Sequence, residues 1–259
     1  MKLRNTLLLL LCLVLVSPAM AQIGARPGSQ SDNTPPQQPL GTTDEGFEDI
    51  AALLAGGWES INTSDAIGTV PDWFQPDGTV FEAQAGPIDS YAAANFNSTA
   101  GSQISNWLLV PDVGFLESAT FWTRTVTANT FPDRMQVRFS SVGGSNVGTD
   151  VNTVGDYTDL LVDINDTLAA GGYPDVWTEF TVNPGAAGRL AFRYFVPTDA
   201  GPVGNNSNFI GVDTLSFVIG EPDVLPPPPA VPTLGWFGLT ALALLLIIGT
   251  VVMRRRQEG

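Results

Sequence analysis

Hydrophobic and polar residues alternate along several short segments in the middle of the chain. In Met135–Ser140, the side chains of Met135, Val137 and Phe139 fall on one side, and polar side chains fall on the other. Alternation with a period of two predicts β-strands with one buried face. Further segments rich in β-forming residues are Ala119–Val126, Trp177–Val182, Arg189–Val196 and Phe209–Ile219.

Short runs of turn-forming residues separate these segments. Two other segments have less regular patterns: Ile50–Leu54 predicts one short helical turn, and Tyr157–Ile164 is compatible with a strand or a helix. Many short strands with such punctuation predict an all-β, jelly-roll-like two-sheet sandwich over residues 44–220. The turn signals are Phe131-Pro132-Asp133, Val142-Gly143-Gly144, Asn183-Pro184-Gly185 and Thr198-Asp199-Ala200-Gly201.

The first 21 residues have the three parts of an export signal. Lys2 and Arg4 precede an apolar run, and the segment ends in small residues at Ala19 and Ala21. This pattern predicts cleavage by signal peptidase after Ala21, although an uncleaved anchor is the alternative. Residues 22–43 are rich in Pro, Gly, Gln, Ser and Asn, and predict a disordered leader before the sandwich.

The other end of the chain has the features of a membrane segment. A proline-rich spacer at 221–230 precedes an uncharged stretch from Leu234 to Met253, which is long enough to cross a bilayer at about 20 residues. Arg254, Arg255 and Arg256 follow it directly. The sequence therefore predicts a transmembrane helix at 234–253, with the arginines in the cytoplasm and the sandwich outside.

The residues around the start of that stretch go beyond what a plain anchor requires. Val231, Pro232, Thr233 and Leu234 are followed by Phe237 and Gly238 at its mouth. Segment 231–259 resembles the IPTL-type C-terminal sorting domains of Gram-negative bacteria, with valine in place of isoleucine and phenylalanine in place of tryptophan. The resemblance implies recognition, and cleavage near the motif, by an exosortase-like membrane protease. A plain single-pass anchor is the alternative.

Composition narrows the chemistry that the exported part can perform. The chain contains no histidine, and its one cysteine, Cys12, lies in the N-terminal apolar run. These absences exclude a Ser-His-Asp triad, a histidine-liganded metal and a disulfide in the sandwich. Between residues 22 and 230 there are 25 acidic residues and 6 arginines, a balance that disfavours nucleic acid as a partner.

A second set of motifs occurs in order along 44–220. Gly46-Phe47-Glu48 stands near the start, Asn106 to Pro111 and Thr120 to Arg124 lie in the middle, and Ile210 to Leu215 closes the region. Together they resemble the choice-of-anchor J domains, which are related to cleaved-adhesin and MAM-like jelly rolls. The resemblance implies a bacterial surface protein with an adhesive or structural role.

Acidic residues in these motifs suggest a structural calcium ion. By period two, Asp213 shares a face with Gly211, Leu215 and Phe217, and an acid on an apolar face needs a partner. In cleaved-adhesin relatives the acids that match Glu48 and Asp213 lie at a calcium site, so the resemblance implies a site here, which Asp72 and Asp89 would complete. The alternative is a salt bridge from Arg193 to Asp213 or Glu48.

Two functional interpretations are also considered: sugar binding by tryptophans and glycoside hydrolysis by pairs of acids. Tryptophans can stack on sugars, but a sandwich core is the simpler expectation for them, with Trp58 and Trp73 the best candidates for exposure. Acid pairs such as Asp163 with Asp166, or Asp175 with Glu179, could hydrolyse glycosides, yet nothing marks them as cleft residues.

The sequence as a whole predicts an exported, non-enzymatic surface or matrix protein of a Gram-negative bacterium. Its precursor would be held in the inner membrane by the C-terminal helix, and the processed protein would reach the cell surface or the extracellular matrix. Extracellular polysaccharide is an expected partner, and calcium an expected structural ion. A carbohydrate-binding module with a definite sugar ligand is the main alternative, and a secreted hydrolase the last.

Overall fold

A computed structural model describes residues 41–221 and 236–257. Eleven strands, two α-helices and a short 3-10 helix, Phe96–Ser98, are found there. The helices are α1 (Ile50–Ala55) and α2 (Trp236–Gln257). The strands are β1 (Gly41–Glu45), β2 (Glu59–Asn62), β3 (Ala92–Asn95), β4 (Ile104–Leu109), β5 (Phe115–Thr125), β6 (Met135–Ser140), β7 (Asp159–Ile164), β8 (Thr178–Val182), β9 (Ala186–Ala187), β10 (Arg189–Val196) and β11 (Phe209–Ile219).

The strands form two antiparallel sheets, as the sequence predicts. The first sheet has the order β1-β11-β5-β8, with β3 paired to β11 and β9 paired to β5. The second has the order β2-β4-β10-β6-β7. Strands distant in sequence are therefore neighbours in each sheet, an arrangement typical of a Greek-key sandwich.

The strands with clear alternation are predicted to the residue, whereas the weaker patterns are not. The bounds of β6, β10 and β11 are as predicted, and the ambiguous segment before Asn165 is strand β7. Strand β5 begins at Phe115, earlier than predicted, and β1 begins at Gly41, inside the predicted leader. β1 is a strand because its backbone pairs with β11, and the composition of residues 41–45 does not predict this pairing.

The main core lies between the two sheets. Inward side chains of β5 and β11 meet those of β4, β6 and β10, and Phe121 packs edge-on against Phe192 at 5.0 Å between ring centroids. Burial of each large apolar side chain stabilises the fold by about 1.5–3 kcal/mol. The side chains of Met135, Val137 and Phe139 all point into this core, which confirms the alternation predicted for β6.

A β-bulge in β11 changes which side chains face the core. Beyond the bulge, the inward and outward positions are exchanged relative to strict alternation. Asp213 pairs with Trp122 and Ser216 with Thr120, so β11 carries one residue more than β5 across this interval. Thr214 adopts a positive φ of 49° at this point. Leu215 and Phe217 therefore face the core, whereas Asp213 stays on the outer side. The prediction that Asp213 shares a face with Leu215 and Phe217 is wrong for this reason.

Segments before β3 cover the outer face of the first sheet. Phe81, Tyr91 and Phe209 form a small aromatic cluster there, joined by the half-buried Trp177. A Cβ atom built on Gly211 would lie 2.8 Å from Tyr91 Cδ2 and 3.0 Å from Phe81 Cε2. Gly211 is thus required by close packing of this cover on the sheet.

Residues 141–158, here called the covering loop, lie over the outer face of the second sheet. Trp107 packs with Val147 and Tyr157 of this loop. Arg193 lies 4.6 Å from the Trp107 ring centroid and donates to the carbonyl oxygen of Val151 at 2.6 Å. Burial, together with nearby arginines, lowers the pKa of Arg193 to about 9.

The structure confirms the prediction that tryptophans lie in the core, and it corrects the prediction of which ones are exposed. Trp58, Trp73 and Trp107 are buried. Trp122 and Trp177 are half-buried and are the more accessible ones. Trp58 and Trp73, the two expected to be exposed, instead belong to the main core.

The predicted terminal features fall mostly outside the described ranges. Residues 1–40, including Ala19 and Ala21, and residues 222–235, including Val231, Pro232, Thr233 and Leu234, lie outside them. Phe237, Gly238 and the arginines at 254–256 belong to α2. Neither helix of the described part has the length and hydropathy needed to cross a bilayer, so the span predicted at 234–253 is not found there.

Candidate functional site

The calcium site stays a prediction, and the structure shows where its four proposed ligands lie. Glu48 lines a cleft of about 360 Å³ together with the turn at Ala85 and Gly86 and with Thr214, and Asp213 contacts the same turn. Asp72 and Asp89 are exposed, and Gln75 Nε2 donates to the carbonyl oxygens of both Phe47 and Asp89, so the backbone of Asp89 lies near the residue that precedes Glu48. In the described residues, no group of three or more acidic side chains is arranged to hold a metal ion.

Three backbone amides donate hydrogen bonds to the carboxylate of Asp213. Its Oδ2 accepts hydrogen bonds from the N–H groups of Gln84 at 2.7 Å and Ala85 at 3.2 Å, and its Oδ1 accepts from Thr214 at 2.6 Å. Burial raises the pKa of Asp213, and these amides oppose the rise. Asp213 therefore has three backbone N–H donors in this structure, and a calcium ion bound by the four acids remains a prediction.

We call the depression beside Glu48 the acidic cleft. Glu45 and Asp44 also line it. Burial and the charge of Glu48 raise the pKa of Glu45, while the N–H of Phe47, which donates to Glu45 Oε1 at 2.7 Å, opposes the rise. The acidic cleft concentrates negative charge at one edge of the first sheet.

The alternative salt bridge from Arg193 to Asp213 or Glu48 is also wrong. Arg193 lies on the second sheet, beneath the covering loop, and bonds to Ser105, Gln136 and backbone carbonyls. Two ion pairs occur in the described residues, Arg134 with Asp163 and Arg189 with Glu59.

A second cleft opens where four loops meet at one end of the sandwich. The loops follow β3, β5, β7 and β10, and hydrogen bonds join them to one another. For example, the Phe96 N–H donates to the Asn208 carbonyl at 2.8 Å, and Asn208 Nδ2 donates to Asn129 Oδ1 at 2.8 Å. We call the cleft between three of these loops the loop-end cleft.

The loop-end cleft has a volume of about 210 Å³ and an uncharged lining. Phe131 on its rim is 44% exposed, and Val203, next to the rim residue Pro202, is 93% exposed. A polar floor is provided by Ser207 and Asn208. The full lining is Phe96, Phe131, Gly201, Pro202, Gly204, Ser207 and Asn208.

A fully buried carboxylate lies beneath this floor. Asp133 Oδ1 accepts hydrogen bonds from Tyr194 Oη at 2.6 Å and the Asn208 N–H at 2.7 Å. Its Oδ2 accepts from Thr125 Oγ1 at 2.5 Å and Asn129 Nδ2 at 2.8 Å. These five residues form what we call the Asp133 cluster.

The Asp133 cluster ties the loops together through hydrogen bonds. Burial raises the pKa of Asp133, while its hydrogen-bond donors oppose the rise. Asn165 of the loop after β7 donates to the Asp133 carbonyl at 2.8 Å, so a third loop joins the cluster. A buried polar network in which every member is satisfied fixes its parts rigidly. The loop-end cleft is therefore preformed.

The described non-glycine residues with positive φ lie beside the acidic cleft and in the loops at the loop end. Phe47 and Thr214 have positive φ beside the acidic cleft. The other non-glycine residues with positive φ lie in the loops at the loop end: Ala128, Asn165, Leu168, Asp199 and Ser207. Such conformations persist where surrounding structure holds them, and they cluster at binding sites.

Sequence reasoning missed the Asp133 cluster. Phe131-Pro132-Asp133 was interpreted as a turn signal alone, and aspartate in a turn is ordinarily solvated. The partners of Asp133 come from four separate segments, so local pattern does not reveal them. One signal was present in the sequence. Tyr194 alternates onto the apolar face of β10, and a tyrosine hydroxyl in the core requires a hydrogen-bond partner there.

The acid pairs considered for hydrolysis are not brought into a shared cleft. Asp163 is bound by Arg134 at 2.6 Å and by Gln136, while Asp166 is exposed. Asp175 accepts a hydrogen bond from the Ala128 N–H at 3.3 Å, and Glu179 is exposed on β8.

Comparisons with known proteins give structural neighbours but no family. No family model matches the chain, and no curated protein matches it. The chain is similar to the K1 cleaved adhesin domain of Lys-gingipain from Porphyromonas gingivalis W83, with a TM-score of 0.47 and 20% identity over 70% of this chain and 99% of that one. The K2 domain of the same protein has a TM-score of 0.48 and 18% identity over 69% of this chain and 100% of that one.

Carbohydrate-binding modules are also among the neighbours. The family 11 module from Clostridium thermocellum, in complex with a mixed-linked tetrasaccharide, has a TM-score of 0.36 and 13% identity over 68% of this chain and 96% of that one. At these identities and scores the neighbours do not decide the function of this chain. The two-sheet architecture stands on the strand pairing described above.

Proposed function

We propose that this chain is an exported, non-catalytic adhesion protein whose sandwich binds extracellular polysaccharide through its loop end. The observation that carries the proposal is the preformed loop-end cleft, held by the Asp133 cluster. The cleft lining contains no acid, and the chain contains no histidine, so the site offers no general base of the usual kind. Concave sites of this type, with apolar walls and few polar groups, are suited to binding.

The proposal includes processing of the C-terminal tail. The motif at Val231 to Leu234, with Phe237, Gly238 and the three arginines at 254–256, supports recognition by an exosortase-like protease. Removal of the tail would leave the sandwich on the proline-rich spacer, a stiff connection to whatever holds it at the surface.

One experiment on the native protein tests both parts. Protein from the culture medium and from the cell envelope is purified, its intact mass and C-terminal peptide are determined, and beads coated with it are applied to immobilised extracellular polysaccharide. We expect chains that end near Val231–Leu234 and beads that adhere in a saturable way.

Each readout can fail separately. Chains that retain Arg254–Arg256 in every fraction would refute the processing. Coated beads that adhere no better than beads coated with an unrelated acidic protein would refute the adhesive function.

A further inference from the structure

The loop-end cleft combines aromatic walls with a fixed polar floor. Phe96 and Phe131 line it from two different loops, and the exposed ring of Phe131 is available to a ligand. Its backbone is anchored, since the Phe131 N–H donates to Asn129 Oδ1 at 2.9 Å and its carbonyl accepts from Asn129 Nδ2 at 2.7 Å. The ring is thus presented by a rigid support.

The floor offers a hydrogen-bond acceptor in a set orientation. Asn208 Nδ2 is held by Asn129 Oδ1, and the Asn208 main chain is held by Asp133. Among the hydrogen bonds of the described residues, none uses Asn208 Oδ1, which leaves this amide oxygen for a hydroxyl of a ligand. A preorganised acceptor loses little entropy when it binds.

Charge points to an uncharged ligand. The chain carries a formal net charge of −15, yet none of the seven lining residues is charged. The nearby carboxylates are already used: Asp133 is buried with its four donors, and Asp199 Oδ2 accepts from Asn205 Nδ2 at 2.9 Å. With no cation in the lining, an anionic sugar would meet repulsion from the surrounding acidic surface.

Size and shape restrict the ligand further. At about 210 Å³ the loop-end cleft is smaller than the ~300–1,000 Å³ of sites for drug-sized molecules, so it suits one ring rather than a chain of them. A pyranose ring has a C–H face that packs on an aromatic ring and a rim of hydroxyl groups for the amide oxygen. Resting on the proposed adhesive function, we infer that the loop-end cleft binds one neutral pyranose unit of a glycan.

The test uses the full chain and defined probes. Binding of neutral methyl glycosides and their oligomers, with the matching uronic acids for comparison, is measured by glycan array and calorimetry. Wild type is compared with Phe131→Ala and Asn208→Ala, and with Val142→Ala as the control, because Val142 is 74% exposed on the covering loop. We expect at least a tenfold loss of affinity in both cleft variants and none in the control.

Several outcomes would overturn the inference. They are equal affinity in Phe131→Ala and wild type, preference for uronic acids, preference for proline-rich peptide probes over sugars, and no sugar binding by the wild type. Phe131→Ala guards against misfolding, since only an exposed ring is removed. Adhesion of beads coated with Phe131→Ala separates the two proposals. Unchanged adhesion refutes the cleft and leaves adhesion through another part of the sandwich, whereas failure of wild-type beads refutes the adhesive function itself.

Discussion

At the scale of single residues, two carboxylates decide local structure in ways that their sequence surroundings conceal. Asp213 binds the amides of the turn above it, and the bulge at Thr214 then returns β11 to the core. Asp133 gathers donors from strands and loops that are distant along the chain. Both are buried acids whose oxygens accept hydrogen bonds from several donors.

Gly211 gives a prediction at this scale. Gly211→Ala places a methyl group 2.8–3.0 Å from Tyr91, Phe81 and Trp177, so the aromatic cover must shift. We expect a loss of about 1–3 kcal/mol in the free energy of unfolding, measured by urea denaturation. Gly144→Ala is the matched control, since its nearest contact would be Asp156 Oδ2 at an ordinary 3.6 Å. Equal stability of both variants would show that the aromatic side chains over Gly211 can move aside without loss of stability.

What the sequence predicts at the residue scale is limited by non-local contacts. The alternation of Met135, Val137 and Phe139 is a property of one strand and is predicted correctly. The face of Leu215 depends on an inserted residue, which period-two reasoning does not detect. The donors of Asp133 depend on which loops meet, so the loop-end cleft could not be predicted before the topology was known.

At the scale of elements, the second sheet is stabilised on its outer face by charged side chains beneath and beside the covering loop. Arg138 and Arg193 donate to Gln136 Oε1, and Asp163 on β7 pairs with Arg134, the residue before β6. Their strands are predicted from local pattern. The burial of Gln136 is not predicted from that pattern, because a polar side chain at this position is expected to face solvent. Its hydrogen bonds to Arg138, Arg193 and Asp163 explain why it is buried.

The pairing of β6 with β7 predicts a pH dependence. Burial alone would raise the pKa of Asp163, but hydrogen bonds from Arg134 and Gln136 outweigh it and lower the pKa. A lowered pKa in the folded state adds stability above the unfolded value of about 3.9, and this stability is lost as pH falls through the folded pKa. Asp163→Asn should therefore be less stable than wild type at neutral pH by roughly 1–3 kcal/mol.

The measurement is urea denaturation of both proteins from pH 7 to pH 3. The stability gap between them should close as the pH falls below about 4. Asp159→Asn, on the exposed start of the same strand, should stay within about 0.5 kcal/mol of wild type. A gap that is constant over this pH range would assign the effect to packing and not to charge.

At the scale of the whole molecule, charge is distributed unevenly. Four of the six arginines between residues 22 and 230 lie on or beside the second sheet: Arg134, Arg138, Arg189 and Arg193. The acidic cleft lies at the first sheet, and the loop-end cleft is uncharged. Overall composition predicts an acidic surface but gives no indication of this separation.

Thermal melting of the full chain addresses the ion implied by the resemblance. Because backbone amides occupy Asp213, we expect the same melting temperature in excess calcium and in chelator. Asp213→Asn should melt at a lower temperature in both buffers, since the NH2 of the new amide would face at least one N–H donor in place of an acceptor oxygen. A fall of several degrees in the wild type on chelation would restore the calcium site.

The Asp133 cluster also has a consequence for how this end of the molecule can evolve. Asp133, Asn129, Tyr194 and Asn208 share one set of hydrogen bonds, so a change at any of them leaves a buried partner unsatisfied. Phe131 and Val203 project from the same loops and take no part in that set through their side chains. In homologues, these four of the five cluster residues should be retained or replaced as a group, while rim residues diversify and alter glycan preference without disturbing the scaffold.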